Sequence, residues 1–158
     1  MQLTRGRLGS KLFGWGGMKY VILWFRIFFG VHLLFSSIRH FTTTWQAVIP
    51  GAGGRFVNSL MEIGVYEMVK AIEGVVGLCL VIGLFVPLVL VIEFPISIVI
   101  FILNFVVVGT GMQLFTGPQE VFLNGILILF YGAHYRAMLQ PWAKAQPLWQ
   151  RDPATKPQ

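Results

Sequence analysis

One apolar stretch, from Ala71 to Val108, limits what this chain can fold into. As a single helix it would be about 55 Å long, at about 1.5 Å per residue, whereas the hydrocarbon core of a bilayer is only about 30 Å thick. We therefore predict two membrane-crossing helices that fold back on each other at Gly83, with Pro87 one turn beyond. The stretch contains three strongly polar residues: Glu73, Glu93 and Asn104.

The composition supports a membrane location. The chain is 56% hydrophobic and 11% charged, whereas about a quarter of the residues of a soluble domain carry charge. The net charge of +6 does not indicate a nucleic-acid partner, because the basic residues flank apolar segments, where they orient membrane proteins. The single cysteine, Cys79, excludes an intrachain disulfide and a CxxC redox pair.

The first apolar segment, Tyr20 to Ile38, follows a basic stretch at residues 1–19 and is long enough to cross a bilayer. A cleaved signal peptide is the competing interpretation. The apolar run is longer than a usual signal-peptide core, however, and no A-x-A-like cleavage site follows it. We therefore interpret this segment as a first, uncleaved span.

Three further spans complete the predicted fold. Thr116 and Gln119 have the spacing of a helix capping box, which indicates that the last span begins there, and Pro95 is expected to kink the third span. A short interfacial helix is expected at 56–65, within an otherwise irregular segment rich in glycine. The predicted spans are 20–38, about 67–84, about 88–108 and about 116–135.

The distribution of positive charge predicts the topology. Four Lys or Arg precede the first span and four occur from Arg136 onward, whereas the first loop carries only Arg39 and Arg55. Since cytoplasmic segments are enriched in Lys and Arg, both termini are expected in the cytoplasm. The sequence thus predicts an all-α integral membrane protein of the bacterial inner membrane. Its up-down-up-down four-helix bundle (20–136) lies between a basic cytoplasmic tail (1–19) and an irregular cytoplasmic tail (137–158).

Arg26 and Glu93 are expected to form a buried ion pair. Arg26 falls about 9 Å above the cytoplasmic face and Glu93 about 8 Å above it, at about 1.5 Å per residue. Pairing lowers the cost of placing charged groups at that depth. Such a pair fits a structural role or a proton relay.

Polar side chains from all four predicted spans fall near the outward end. Asn104 and Asn124 both lie about 6 Å below the outer face, and Glu120 shares a helical face with Asn124. We predict an outward-facing polar pocket lined by His40, Glu73, Asn104, Glu120 and Asn124.

Each of these groups also has a structural explanation. Glu120 can be simply an acid in the first turn of a helix, where the helix dipole favours it. His40 can lie in the headgroup layer. His32 is expected to be neutral and bonded to Ser36. Gly125 and Gly132 form a stripe of small residues that favours close helix contact.

No catalytic constellation can be drawn from the sequence. The three histidines, His32, His40 and His134, are too scattered for a haem or di-metal site, and no nucleophile–base pair has convincing spacing. We therefore predict no metal or haem site, and catalytic residues remain unassigned.

The residues from about Val21 to Tyr135 resemble the DoxX/DoxD-like family of four-span membrane proteins. The most specific part is the stretch Glu73 to Leu84, EGVVGLCLVIGL, preceded by Arg26 and Gly30 in the first span. The resemblance implies a four-helix bundle associated with redox systems, such as the archaeal branch that is a subunit of a thiosulfate:quinone oxidoreductase. The chain departs from the family pattern at residues 93–95 and 134–136.

Three functions are compatible with these observations. The first is a membrane subunit of a quinone-linked oxidoreductase, with a quinone headgroup or small oxyanion in the outward pocket. The second is a non-catalytic subunit that docks or stabilises a larger membrane complex, or forms a homo-oligomer. A small transporter is least favoured, because no inverted repeat is visible.

Overall fold

A computed structural model describes residues 15–43, 49, 51–136 and 138–139. Within these residues all regular structure is helical, which confirms the all-α prediction. The fourth helix continues as a π-helix, Ile102–Val108, and a 3₁₀ turn, Gly132–Tyr135, follows the fifth. The α-helices are α1 (Trp15–Thr42), α2 (Gly51–Glu62), α3 (Val65–Ile82), α4 (Val86–Phe101) and α5 (Gln113–Phe130).

Two helical segments, Gly17–Thr42 and Val86–Val108, are long and apolar enough to cross a membrane. The other two long helices, α3 and α5, have 18 residues each and carry Glu73 and Glu120. The predicted tails are 1–19 and 137–158. Residues 15–19 belong to α1 and residues 138–139 form a turn, whereas residues 1–14, 137 and 140–158 lie outside the described residues.

The tight turn between α3 and α4 lies where the sequence predicts it. Gly83 ends α3 with φ of 90°, a backbone conformation that favours glycine, and its N–H donates to the Cys79 carbonyl at 2.8 Å. Pro87 lies in the first turn of α4, where its missing N–H costs no helical hydrogen bond. The predicted fold-back at Gly83 is therefore confirmed.

The four long helices pack as antiparallel neighbours. α1 packs against α3 and α5, and α4 packs against the same two helices. The α1–α3 contact is close at Gly30 and Gly77, because a Cβ on Gly77 would lie 2.7 Å from the Gly30 carbonyl oxygen. A Cβ on Gly125 or Gly132 would meet nothing within 4 Å, so the predicted glycine stripe makes no close contact with the described chain. Fully buried apolar side chains fill the centre: Phe29, Leu33, Leu80, Leu90 and Leu127.

Several helix boundaries differ from the predictions: α1 runs from Trp15 to Thr42 instead of 20–38, and α5 ends at Phe130 instead of about residue 135. α5 begins at Gln113 instead of Thr116, so the Thr116 hydroxyl lies within the helix, 3.5 Å from the Gln113 carbonyl, and does not cap it. The glycine-rich segment starts α2 at Gly51, whereas the predicted interfacial helix starts at residue 56. Gly53 and Gly54 are buried there, and a Cβ on Gly54 would collide with the Ile49 backbone. Close packing at small residues therefore outweighs their low helix propensity.

Candidate functional site

A closed hydrogen-bonded triad joins α1 to α3. The Lys70 Nζ lies 2.9 and 2.6 Å from the two Glu73 carboxylate oxygens and donates to the Ser36 hydroxyl at 2.9 Å. The Ser36 hydroxyl donates in turn to Glu73 at 3.2 Å. The Glu73 side chain is only 1% exposed. Lys70 is absent from the sequence-based site, although its position three residues before Glu73 is the spacing of an intrahelical ion pair.

A second polar contact joins α1 to α5. The His32 Nε2 lies 3.1 Å from the Glu120 Oε1, across 88 residues of chain. The predicted partner of His32, Ser36, is instead engaged with Lys70 and Glu73. Glu120 is buried, its second carboxylate oxygen has no hydrogen-bond partner among the described residues, and it acts electrostatically on Glu73. The structure therefore places two of the predicted pocket residues, Glu73 and Glu120, in one electrostatic cluster.

Glu93 is the most isolated acid of the core. Its side chain on α4 is fully buried, and neither carboxylate oxygen has a hydrogen-bond partner within the part of the chain that the structure describes. Glu73, Glu120 and Lys70 all act on it electrostatically. We call the residues that converge here from α1, α3, α4 and α5 the buried polar centre: His32, Ser36, Lys70, Glu73, Glu93 and Glu120.

The predicted ion pair between Arg26 and Glu93 is not formed. The Arg26 guanidinium lies against Gly83 at the end of α3, where a Cβ on Gly83 would be 3.0 Å from its Nη1. Arg26 therefore lies level with the turn between α3 and α4, whereas Glu93 lies about two helical turns further along α4, near Glu73 and Glu120. The matched depths predicted for the two residues are wrong, because α1 begins at Trp15 instead of residue 20.

The Asn124 side-chain amide reinforces α4 beside Glu93. With the amide assigned so that its oxygen faces donors and its nitrogen faces an acceptor, the oxygen accepts from the Phe94 N–H at 3.1 Å and from the Ser97 hydroxyl at 3.2 Å, and the nitrogen donates to the Leu90 carbonyl at 3.2 Å. Asn124 thus lies at the level of Ser97 instead of Asn104. The early start of α5 at Gln113 explains the difference, because it places Asn124 deeper along the helix.

The remaining predicted pocket residues have other partners. The His40 ring packs edge-on against the Tyr66 ring at 5.0 Å. Asn104 donates to the Thr116 hydroxyl at 3.3 Å. Neither His40 nor Asn104 contributes a contact to the buried polar centre among the described interactions.

Among the residues that the structure describes, no group of three or more His, Cys, Asp or Glu side chains is arranged to hold a metal ion. Comparisons with known protein families, with curated proteins and with solved structures give no match to this chain. The likeness to the DoxX/DoxD-like family therefore stays a prediction that rests on the residues quoted above.

The buried polar centre combines groups that exchange protons with groups that fix charge. Lys70 neutralises Glu73, whereas within the described part of the chain Glu120 is bonded to the His32 imidazole. The His32 side chain is 27% exposed, so it connects the buried polar centre to the surface of the protein. Chemically, this arrangement can accept a proton at His32 or Glu120 and hold it on a carboxyl group in the core.

Proposed function

We propose that α1, α3, α4 and α5 form an up-down-up-down four-helix bundle in the bacterial inner membrane, with both termini in the cytoplasm. The antiparallel packing of the helices and the charge distribution support this. Each long helix also exposes large apolar side chains, as a lipid-facing surface requires: Phe35 at 63%, Val75 at 63%, Ile98 at 37% and Leu129 at 79% exposure.

Within this membrane setting, we propose that the protein is a subunit of a quinone-linked oxidoreductase and handles protons at the buried polar centre. The observation that carries the proposal is Glu93, a fully buried carboxyl group to which none of the described residues gives a hydrogen bond. Such a group is costly in a protein interior, and intramembrane ionisable residues mark functional sites by default. Conversion of a quinone to a quinol takes up two electrons and two protons, so the complex needs a proton path beside the headgroup.

The geometry assigns different roles to the acids. His32 and Glu120 are the more accessible pair and would lie nearest to the quinone headgroup, with His32 as hydrogen-bond donor. Glu73 stays in its ion pair with Lys70 and does not transfer protons. Glu93 is an internal proton relay, which accepts a proton and passes it through Glu120 and His32 to the quinone headgroup, and the electrons come from a partner subunit of the complex.

Co-purification tests this function. The full chain is purified in a mild detergent, and bound quinone is extracted and quantified for the wild type, Glu120→Gln and the matched control Glu62→Gln. Glu62 is exposed on α2, away from the core. We expect quinone in the wild type and the control, and a severalfold loss in Glu120→Gln. A stable protein partner without quinone in the wild type would overturn the proposal and favour a non-catalytic assembly subunit.

A further inference from the structure

A groove of about 410 Å³ lies at the end of the molecule where α1 begins and α5 ends. This end is opposite to the outward end and is cytoplasmic in the proposed topology. Lys19, Arg26 and His134 line the groove, and none of the described residues that line it is acidic. We call it the basic groove.

Arg26 is the fixed element of the basic groove. Its guanidinium rests on Gly83, and its Nε is buried without a hydrogen-bond partner among the described residues. An acceptor that enters the groove would provide a partner for this Nε. A planar guanidinium matches two oxygens of a phosphate group, which makes phosphate a suitable acceptor.

Lys19 extends the positive surface around Arg26, and the His134 imidazole lines the same groove. Lys19 precedes Arg26 by two helical turns on the same face of α1. The His134 Nδ1 donates to the Tyr131 carbonyl at 3.3 Å, which orients the ring. The groove thus receives polar side chains from α1 and from the 3₁₀ turn that follows α5.

The other walls of the groove are apolar and include Ile22, Leu23 and Phe130. A free phosphate ion would use the basic groups but leave these walls exposed to water. A ligand with an anionic head and apolar tails would satisfy both. We propose that the basic groove binds the phosphate group of an anionic phospholipid, with an acyl chain along its apolar wall.

This inference rests on the proposed membrane location but not on quinone or on the buried polar centre. Basic pockets between membrane helices on the cytoplasmic side are a known physical basis for headgroup recognition. Bound lipid there would fix the junction of α1, α3 and α5.

Native mass spectrometry of the full chain in detergent tests the proposal, with titrations of phosphatidylglycerol, phosphatidylcholine and inorganic phosphate. The variants are Arg26→Gln and Lys19→Gln, and the matched control is Arg55→Gln on the exposed side of α2. Each lost charge near a membrane surface weakens attraction to anionic lipid by about fivefold. We therefore expect about fivefold weaker retention of phosphatidylglycerol in either variant and none of this loss in Arg55→Gln.

Lys19 is exposed, so Lys19→Gln keeps the test valid if Arg26→Gln fails to fold. Little retention of phosphatidylcholine by the wild type supports the proposal. Equal retention of the two lipids overturns it. So does unchanged retention of phosphatidylglycerol in folded variants, or binding of inorganic phosphate with no preference for the lipid.

Discussion

Lys70 and Glu73 lie one turn apart on α3, and the Lys70 Nζ is 2.6 Å from the Glu73 Oε2. Both side chains are largely buried, at 12% and 1% exposure, so each charge depends on the other for its solvation. Ser36 of α1 bonds to both groups. The pair therefore links the charge balance of the core to the packing of α1 on α3.

Loss of Lys70 should destabilise the fold. Lys70→Met leaves the Glu73 carboxylate buried and unpaired, and such a break costs about 3–5 kcal/mol of unfolding free energy. Unfolding by SDS titration in detergent micelles measures the loss. The double variant Lys70→Met/Glu73→Gln should recover most of it, because the unpaired charge is gone. A double variant as unstable as Lys70→Met would show that the ion pair contributes little.

The contact between α1 and α3 at Gly77 should be intolerant of a methyl group. In Gly77→Ala the new Cβ would lie 2.7 Å from the Gly30 carbonyl oxygen and 2.8 Å from the Leu34 nitrogen, both of which are backbone atoms that cannot move independently. We expect a loss of about 1–3 kcal/mol, measured by thermal unfolding in detergent. Gly125→Ala is the matched control, because its Cβ would meet nothing within 4 Å. Equal stability of the two variants would contradict the close helix contact.

The sequence was sufficient for the helical class and the position of the central turn, because both follow from local properties. The length of the apolar stretch requires a fold-back, and Gly83 and Pro87 are suited to the two sides of the turn. Helix ends were less predictable. At Thr116 a capping pattern was present, but packing against Asn104 placed that residue inside α5 instead.

Partner choice in the core could not be predicted, because it depends on how each helix is rotated about its axis. α4 is apolar nearly all round, so its pattern does not indicate which face is buried: Val89 and Leu90 are buried, whereas Val91 and Ile98 are exposed. Arg26 was therefore paired with Glu93 on depth alone. The Lys70–Glu73 pair, in contrast, could have been predicted, because its two residues are three apart on a single helix.

Asn124 should be required for the integrity of α4. The Asn124→Leu variant removes the amide that bridges the Leu90 carbonyl and the Phe94 N–H one residue before Pro95. Leaving these buried groups with fewer partners costs about 1–3 kcal/mol. Hydrogen exchange should also become faster at Phe94. Asn104→Leu is the control, since partly buried Asn104 makes one side-chain bond, to Thr116. A comparable loss in that variant would show that the Asn124 bridge has no special role.

Residue 59 should be accessible from outside the cell and residue 155 from inside. The excess of Lys and Arg in the tails over the first loop is the reason. A membrane-impermeant maleimide is applied to intact cells that carry Ser59→Cys or Thr155→Cys in a background in which Cys79 is replaced by alanine. We expect labelling of the Ser59→Cys protein only, with the Thr155→Cys protein labelled after lysis. Labelling of the Thr155→Cys protein in intact cells would contradict the predicted topology.

Glu93→Leu should raise stability and lower activity together. Leucine has a similar size and removes a fully buried carboxyl group that has no hydrogen-bond partner, so we expect the unfolding free energy to rise by about 1–3 kcal/mol. If Glu93 accepts protons for the complex, proton uptake linked to quinone reduction should fall severalfold in the same variant. Opposite changes in stability and activity are typical of a group kept for function. The control, Glu62→Leu on the exposed side of α2, should change neither quantity. Lower stability in Glu93→Leu would show that the carboxyl group supports the fold, whereas higher stability with unchanged proton uptake would remove Glu93 from the proton path.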